Sequence, residues 1–182
     1  MTVLSLALAL VCTADHPVPA WVPRGAQVGL LMATDASIVA PDVRLQWDFG
    51  IVEQPHNDLV LLAQLGTAIG AVLPPNMIAH YQHVAMIGLG YRSTYELFHW
   101  GFQFGLGPVW YRAAFTRGGV NPFESRVLGY AEGRLQVGLR LQKHLIVGLY
   151  FGYASPWTYS PNRYPGNTYV GGLNLGVFAD WR

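Results

Sequence analysis

Residues 126–141 read RVLGYAEGRLQVGLRL, and this stretch decides the fold. Apolar or small residues occupy every second position, and most charged and amide side chains occupy the positions between them. A period of two is that of a β-strand with two different faces. The stretch is also far longer than the five or six residues of a typical globular strand. Such strands are typical of a membrane barrel wall, with lipid outside and polar groups inside.

The composition agrees with a wall in contact with lipid. Charged residues make up 12% of the 182 residues, about half the usual soluble share, and Lys143 is the one lysine. A soluble ligand-binding barrel, the rival fold, needs more charge on its outside. The interior of the chain has no run of about 18 apolar residues, which disfavours helical membrane spans. A net charge of +1 makes no case for a nucleic-acid partner.

The N-terminal region predicts a segment outside the barrel. An apolar run over 3–11 has the length of a signal-peptide core, and the small residues after it predict cleavage following Ala14. The alternative is a buried N-terminal strand or plug. Cys12, the one cysteine, lies within 1–14, so a cleaved chain has no thiol and suits an oxidising compartment. Three prolines make 15–24 an extended lead-in, and the barrel domain is predicted over 25–182.

Eight strands are predicted in that domain, so the fold class is all-β, an eight-stranded antiparallel up-and-down transmembrane barrel. The strands cover 25–34, 42–52, 58–73, 77–92, 97–112, 126–141, 144–157 and 168–181. Their connections alternate between short links at 53–57, 93–96 and 142–144 and, for the most part, longer ones at 35–41, 113–125 and 154–167. Outer-membrane barrels have short periplasmic turns and longer external loops, so both termini are expected in the periplasm.

Aromatic residues recur at a spacing that fits a membrane. Tyr81 and Tyr91 share one face of a strand, as do Trp100 and Trp110, and each pair is ten residues apart. Ten tilted residues rise about 23–25 Å, the height of the apolar band between two aromatic girdles. The alternative is that aromatics simply pack well in strands. The predicted membrane-interface residues are Trp47, Tyr81, Tyr91, Trp100, Trp110, Trp157, Tyr169 and Trp181.

The opposite strand faces predict a polar lumen. Because an eight-stranded barrel has room inside only for side chains, these groups must pair or reach water. Glu132 is expected to pair with Arg134 or Arg140, and Asp48 with Arg44. A structural salt-bridge core is one interpretation and a gated conduit is the other. The predicted lumen network is Arg44, Asp48, Gln64, Gln82, Gln103, Glu132, Arg134, Gln136 and Arg140, and His80, Arg92, His99, Asn174 and Asp180 share its face.

The last strand resembles a known signal. Residues 172–181, GLNLGVFADW, resemble the closing strand of bacterial outer-membrane barrels, which the outer-membrane assembly machinery reads, although Arg182 follows the terminal aromatic here. The region 25–182 resembles the small eight-stranded group that includes the outer-membrane protein A barrel. The resemblance implies a location in the bacterial outer membrane, with the lipid bilayer, lipopolysaccharide and the assembly machinery as partners.

The sequence gives little support for an enzymatic site or a metal site. The region after Tyr153 is similar to the closing segment of lipid A 3-O-deacylases, but Tyr153 stands where that family has its general-base histidine, and Ser155 follows no histidine at the required spacing. Tyrosine has too high a pKa for that role near neutrality. His80 and His83 lie on opposite faces of a strand and cannot chelate together. No catalytic residue, metal or cofactor is predicted.

The predicted function is therefore a structural or surface-interaction role in the envelope, with a lumen sealed by polar side chains. Two alternatives stay open: a narrow, porin-like conduit, and a lipid A-modifying enzyme. Exposed aromatics and arginines favour contacts, so the external loops are candidate contact surfaces for a partner that the sequence does not identify. Their candidate residues are Arg117, Phe123, Trp157, Tyr159, Arg163 and Tyr164.

Overall fold

The computed structural model describes residues 19–33, 37–116, 123–157 and 168–181. The expected signal peptide over 1–14 and the first part of the lead-in lie outside these residues. Four of the candidate loop residues, Arg117, Tyr159, Arg163 and Tyr164, lie outside them as well. No helix in the described part of the chain is long and apolar enough to cross a membrane.

Eight antiparallel strands form a closed barrel in which every strand pairs with its sequence neighbours and β1 pairs with β8. Closure satisfies the backbone hydrogen bonds of the wall without leaving a sheet edge, which a structure in hydrocarbon requires. The strands are β1 (Gly25–Met32), β2 (Val39–Glu53), β3 (Asn57–Ile69), β4 (Met77–Tyr95), β5 (Phe98–Phe115), β6 (Phe123–Gln142), β7 (Leu145–Pro156) and β8 (Gly172–Trp181). The predicted fold class is confirmed.

The two faces of the wall differ in the way that the alternation predicts. Leu135, Val137 and Leu139 of β6 are more than half exposed on the outside, whereas Arg134 between them is 2% exposed. A soluble barrel would bury the leucines and leave the arginine in water. Because the described strands carry an exposed apolar belt around the whole barrel, the outside is suited to hydrocarbon.

The strand ends at one side of the barrel are joined tightly. Glu96 and Leu97 connect β4 to β5, and Lys143 and His144 connect β6 to β7. Glu96 has a φ of 50°, the left-handed conformation that so short a turn requires. The connections at the opposite side, which we call the external end, are longer, in the order that the sequence predicts.

Two predicted strands, β3 and β8, extend four residues too far at the external end. β3 stops at Ile69, and Leu73 instead packs against apolar side chains inside the barrel mouth. β8 begins at Gly172 and not at 168, because Gly171 and Gly172 have φ values of 81° and 116°. Residues with side chains rarely adopt these angles, so the two glycines turn the chain sharply into the wall.

The outward face of β6 generates a test with a matched control. Leu135→Arg places a charge near the middle of the wall and is expected to destabilise the barrel by about 2–4 kcal/mol in lipid. Leu141→Arg replaces a similarly exposed leucine at the end of the same strand and is expected to cost about 0–1 kcal/mol. Denaturant unfolding in lipid vesicles, followed by heat-modifiable gel mobility, measures both. Equal costs at the two positions would contradict a hydrocarbon-facing wall.

Candidate functional site

A buried carboxylate holds the middle of the lumen together. Glu132 of β6 forms ion pairs with Arg44 of β2 and Arg134 of β6, and its Oε1 accepts a hydrogen bond of 2.7 Å from Asn174 Nδ2 of β8. Arg44 also forms an ion pair of 2.7 Å with Asp42. β2 and β6 lie on opposite sides of an eight-stranded barrel, so the Arg44–Glu132 pair crosses the lumen. All five side chains are almost fully buried.

A row of amide side chains lies beside this ion-pair cluster, which is made of Asp42, Arg44, Glu132, Arg134 and Asn174. Each amide in the row hydrogen-bonds to the next, with distances from 2.7 to 3.2 Å. Amides suit this position because each both donates and accepts, so that neighbouring members of the row can bond to one another. The row consists of Gln27, Gln46, Gln64, Gln103 and Gln136, on five of the eight strands.

A second set of ions crosses the lumen nearer the tight turns. Arg92 of β4 pairs with Asp48 of β2 at 2.5 Å, and its other terminal nitrogen lies 3.7 Å from Asp180 of β8. β4 and β8 are again on opposite sides of the barrel. Phe178 fills the space next to these groups, where Gly138 and Gly148 leave room for its ring. Polar and aromatic side chains together therefore occupy this end.

The external mouth is closed by apolar side chains and a turn. Ile38, Tyr111 and Val170 belong to one buried cluster inside the mouth. Gln82 of β4 donates from Nε2 to the carbonyl of Tyr169 at 3.0 Å and accepts from the backbone N–H of Gly171 at 3.4 Å. The segment before β8 is thereby fastened across the mouth to the opposite strand.

Little space is left inside. A void of about 10 Å³ lies among Leu62, Gln64, Met86, Gln103 and Glu132, over the inward glycines of β4 and β5. That volume is near the minimum for a single water molecule. The sequence left open whether the inward glycines create a cavity or make room for side chains. Gly88 and Gly105 line this small void, whereas Gly138 and Gly148 make room for the ring of Phe178.

The structure places the predicted lumen residues inside the barrel but changes their partners. Asp48 pairs with Arg92, not with Arg44, and Arg44 reaches Asp42 and Glu132. Arg140 is only half-buried near the tight turns and has no ion pair with Glu132 among the described residues. Asp42 and Asn174, which the predicted network left out, are central to it. Gln27 was also missed. It shares the inward face of β1 with Gly25, Gly29 and Leu31, and this alternation could have identified it.

Most of the predicted interface aromatics lie on the outside of the wall, and two do not. Tyr81, Tyr91, Trp100 and Trp110 are each about 40% exposed in two rows, and Trp47 and Trp157 also reach the surface. Trp181, in contrast, is 7% exposed, so it offers no indole to a membrane. Tyr169 lies in the turn before β8 and packs against the apolar cluster in the mouth, which makes it part of the closure.

The positions of the histidines do not assemble a catalytic group at Ser155. The Ser155 hydroxyl donates to its neighbour Pro156 O at 3.4 Å. The nearest described histidines at the external end, His80 and His83, are on β4, three strands from β7, or about 14 Å at the usual strand spacing. His80 is buried inside while His83 faces outward. Within the described ranges, no group of three or more potential ligands could hold a metal ion.

The fold and the filled polar lumen define a small transmembrane barrel of the outer-membrane type. No family model and no curated protein matches the sequence. Solved structures do match. The outer membrane enzyme PagL is similar at 13% identity and a TM-score of 0.55, over 85% of this chain and 97% of that one. Neisserial surface protein A (NspA) is similar at 12% identity and a TM-score of 0.51, over 87% and 94%. At these identities the likeness shows the fold.

Replacement of Glu132 in the ion-pair cluster is predicted to reduce the stability of the barrel more than most single substitutions do. Glu132→Gln leaves Arg44 and Arg134 buried with less compensating charge, which is expected to destabilise the barrel by about 3–5 kcal/mol. Glu96→Gln removes the same charge in an exposed turn and is expected to change stability by no more than about 0.5 kcal/mol. Both are measured by denaturant unfolding of the refolded barrel in detergent. If the two variants unfold alike, the lumen ions do not hold the barrel together.

Proposed function

We propose that the protein is a sealed, non-catalytic barrel of the bacterial outer membrane, with a structural or surface-interaction role. The observation that supports this most directly is that the lumen is bridged from wall to wall at three heights. Gln82 reaches the turn before β8, Arg44 reaches Glu132, and Arg92 reaches Asp180. Each bridge joins opposite sides of the barrel, so an ion crossing the lumen would have to pass all three.

The energetics favour a closed state. Each crossing ion pair is buried, and separating it without supplying water or a new partner exposes a charge to a medium of low dielectric constant. A conduit that conducts through its open state needs a continuous path of water. The apolar cluster that packs inside the mouth and the small volume of the void beside Glu132 favour a lumen without such a path. The polar contacts across the lumen thus stabilise the shape of the barrel wall.

Outside the lumen, we propose that the two rows of aromatics mark the levels of the lipid headgroups. Trp100 and Tyr91 contact one another, with ring centroids 5.4 Å apart, at the end with the tight turns. Trp110 and His83 stack at 5.0 Å toward the external end. Tyrosine and tryptophan favour such levels because an apolar ring can carry a polar tip into water. The external connections then face the surroundings of the cell, where a surface interaction takes place.

Conductance distinguishes the sealed barrel from a conduit. The wild-type protein reconstituted in planar bilayers is expected to give no steady single-channel steps, because no water path crosses the lumen. A conduit through the cluster would give steps, and Glu132→Ala would alter their size. Steady steps in the wild type would overturn the proposal, and a change in their size in Glu132→Ala would show that the ion-pair cluster lies on the path. Parallel gel mobility shows that the protein in each bilayer sample is folded.

Lipid A analysis distinguishes the sealed barrel from an enzyme. Expression of the wild-type protein is expected to leave the acylation of lipid A unchanged, because Ser155 has no histidine within reach among the described residues. Mass spectrometry of extracted lipid A measures this. A loss of one acyl chain on expression that disappears in Ser155→Ala would show an enzyme instead. Ser93→Ala, which changes a serine of β4 near the tight turns, serves as the matched control.

A further inference from the structure

A polar and aromatic cluster lies on the outside of the barrel toward the external end, where the wall is otherwise apolar. The Thr67 hydroxyl of β3 and the His83 Nδ1 of β4 lie 2.9 Å apart, and the His83 ring stacks on Trp110 of β5. Trp110 Nε1 donates to Ser125 Oγ of β6 at 2.8 Å. Four neighbouring strands thus hold one connected set of side chains in fixed positions on the outer surface.

Arg112 stands next to this set and completes it. Its guanidinium carbon lies 4.5 Å from the centre of the Phe123 ring and 5.7 Å from that of Trp110. Stacking against aromatic rings fixes the plane of the guanidinium. We call Thr67, His83, Trp110, Arg112, Phe123 and Ser125 the outer-wall cluster.

Among the described residues, Arg112 has no acidic partner for its charge. It is exposed and forms no ion pair with any described carboxylate. In the described strands it is also the one arginine or lysine with outward parity, since the other strand arginines face the lumen. An unpaired arginine costs about 2–4 kcal/mol at the middle of a bilayer and about 0–1 kcal/mol near its surface. Its place close to the end of β5 therefore corresponds to the headgroup level.

An apolar groove runs from the cluster toward the middle of the wall. Leu45, Leu65, Ala85 and Pro108 line it, and His83 and Trp110 close its external side. The side chains of Ala85 and Pro108 are small compared with those of the leucines that line the same groove. Arg112 supplies a fixed positive charge at the external end, and the groove supplies an apolar surface nearer the middle of the wall. Together they match a ligand with an anionic head and hydrocarbon chains.

We propose that the outer-wall cluster binds a phosphorylated glycolipid of the outer leaflet, with Arg112 on a phosphate and an acyl chain in the groove. The proposal rests on the proposed location in the outer membrane. The guanidinium presents a planar fork of N–H donors that matches two phosphate oxygens. The Phe123 and Trp110 rings hold that fork in place before the lipid arrives, which reduces the ordering cost of binding.

Binding of a defined lipid tests this. Native mass spectrometry in detergent measures how much diphosphoryl lipid A the folded protein retains, compared with the same lipid after removal of both phosphates. The wild type is expected to retain the phosphorylated form about tenfold more tightly, as a charge-assisted pair predicts. Arg112→Gln is expected to abolish that preference. Arg112→Lys keeps the charge without the fork and is expected to retain only part of it.

Two controls separate the outcomes. Lys143→Gln removes a positive charge from the turn at the opposite end and is expected to leave the preference unchanged. If Arg112→Gln does not fold, two other measurements test the site. One is the lipid preference of Phe123→Ala, which lacks the ring under the guanidinium. The other is the comparison of the two lipids on the wild type. An equal retention of both lipids by the wild type, or an unchanged preference in the folded variants, overturns the proposal.

Inorganic phosphate and conductance complete the test. Millimolar phosphate is expected to leave the lipid bound, because the groove contributes to its affinity; full displacement would show a site for phosphate alone and overturn the proposal. Steady channel steps would overturn the sealed lumen but not this site, which lies on the other side of the wall. Loss of the lipid preference without channel steps would overturn this site and leave the sealed lumen standing.

Discussion

The barrel depends on one buried carboxylate placed between two arginines. An apolar outside drives charged side chains into the lumen, where they are costly unless they are paired. Glu132 meets this requirement for Arg44 and Arg134 together, and Asn174 donates a further hydrogen bond. Because these partners come from β2, β6 and β8, the pairing forms only when the barrel closes in the correct register. The cluster therefore links the hydropathy of the wall to its shape.

The sequence predicts the two faces of the wall well and the partners within it poorly. Side-chain direction follows from a period of two along each strand, so the burial of Arg134 and the exposure of Leu135 could both be derived locally. Partners depend on which residues face each other across the lumen. Asp48 and Arg44 share one face of β2, yet Asp48 pairs with Arg92. Strand tilt and register, which no single strand encodes, decide such contacts.

The external mouth shows a second limit. Residues 168–171 continue an alternating pattern into β8, and the pattern predicts a strand there. The chain instead turns inward, since Val170 is buried in the apolar cluster and Gln82 binds the backbone at Tyr169 and Gly171. The two glycines at 171 and 172 were the available signal, because positive φ is easily adopted by glycine. Their meaning depends on contacts from the opposite strand, which come only with the closed barrel.

The low charge of the chain makes Arg112, the one outward-facing arginine of the described strands, informative. On a soluble protein an exposed arginine is ordinary, because water solvates it on any surface. On this wall an apolar belt lies next to Arg112, and its position near the end of β5 lets the stem lie on apolar surface while the head is solvated. The stacking on Phe123 holds the guanidinium at this level. A fixed cation at this depth is arranged to meet an anion that occupies the same level.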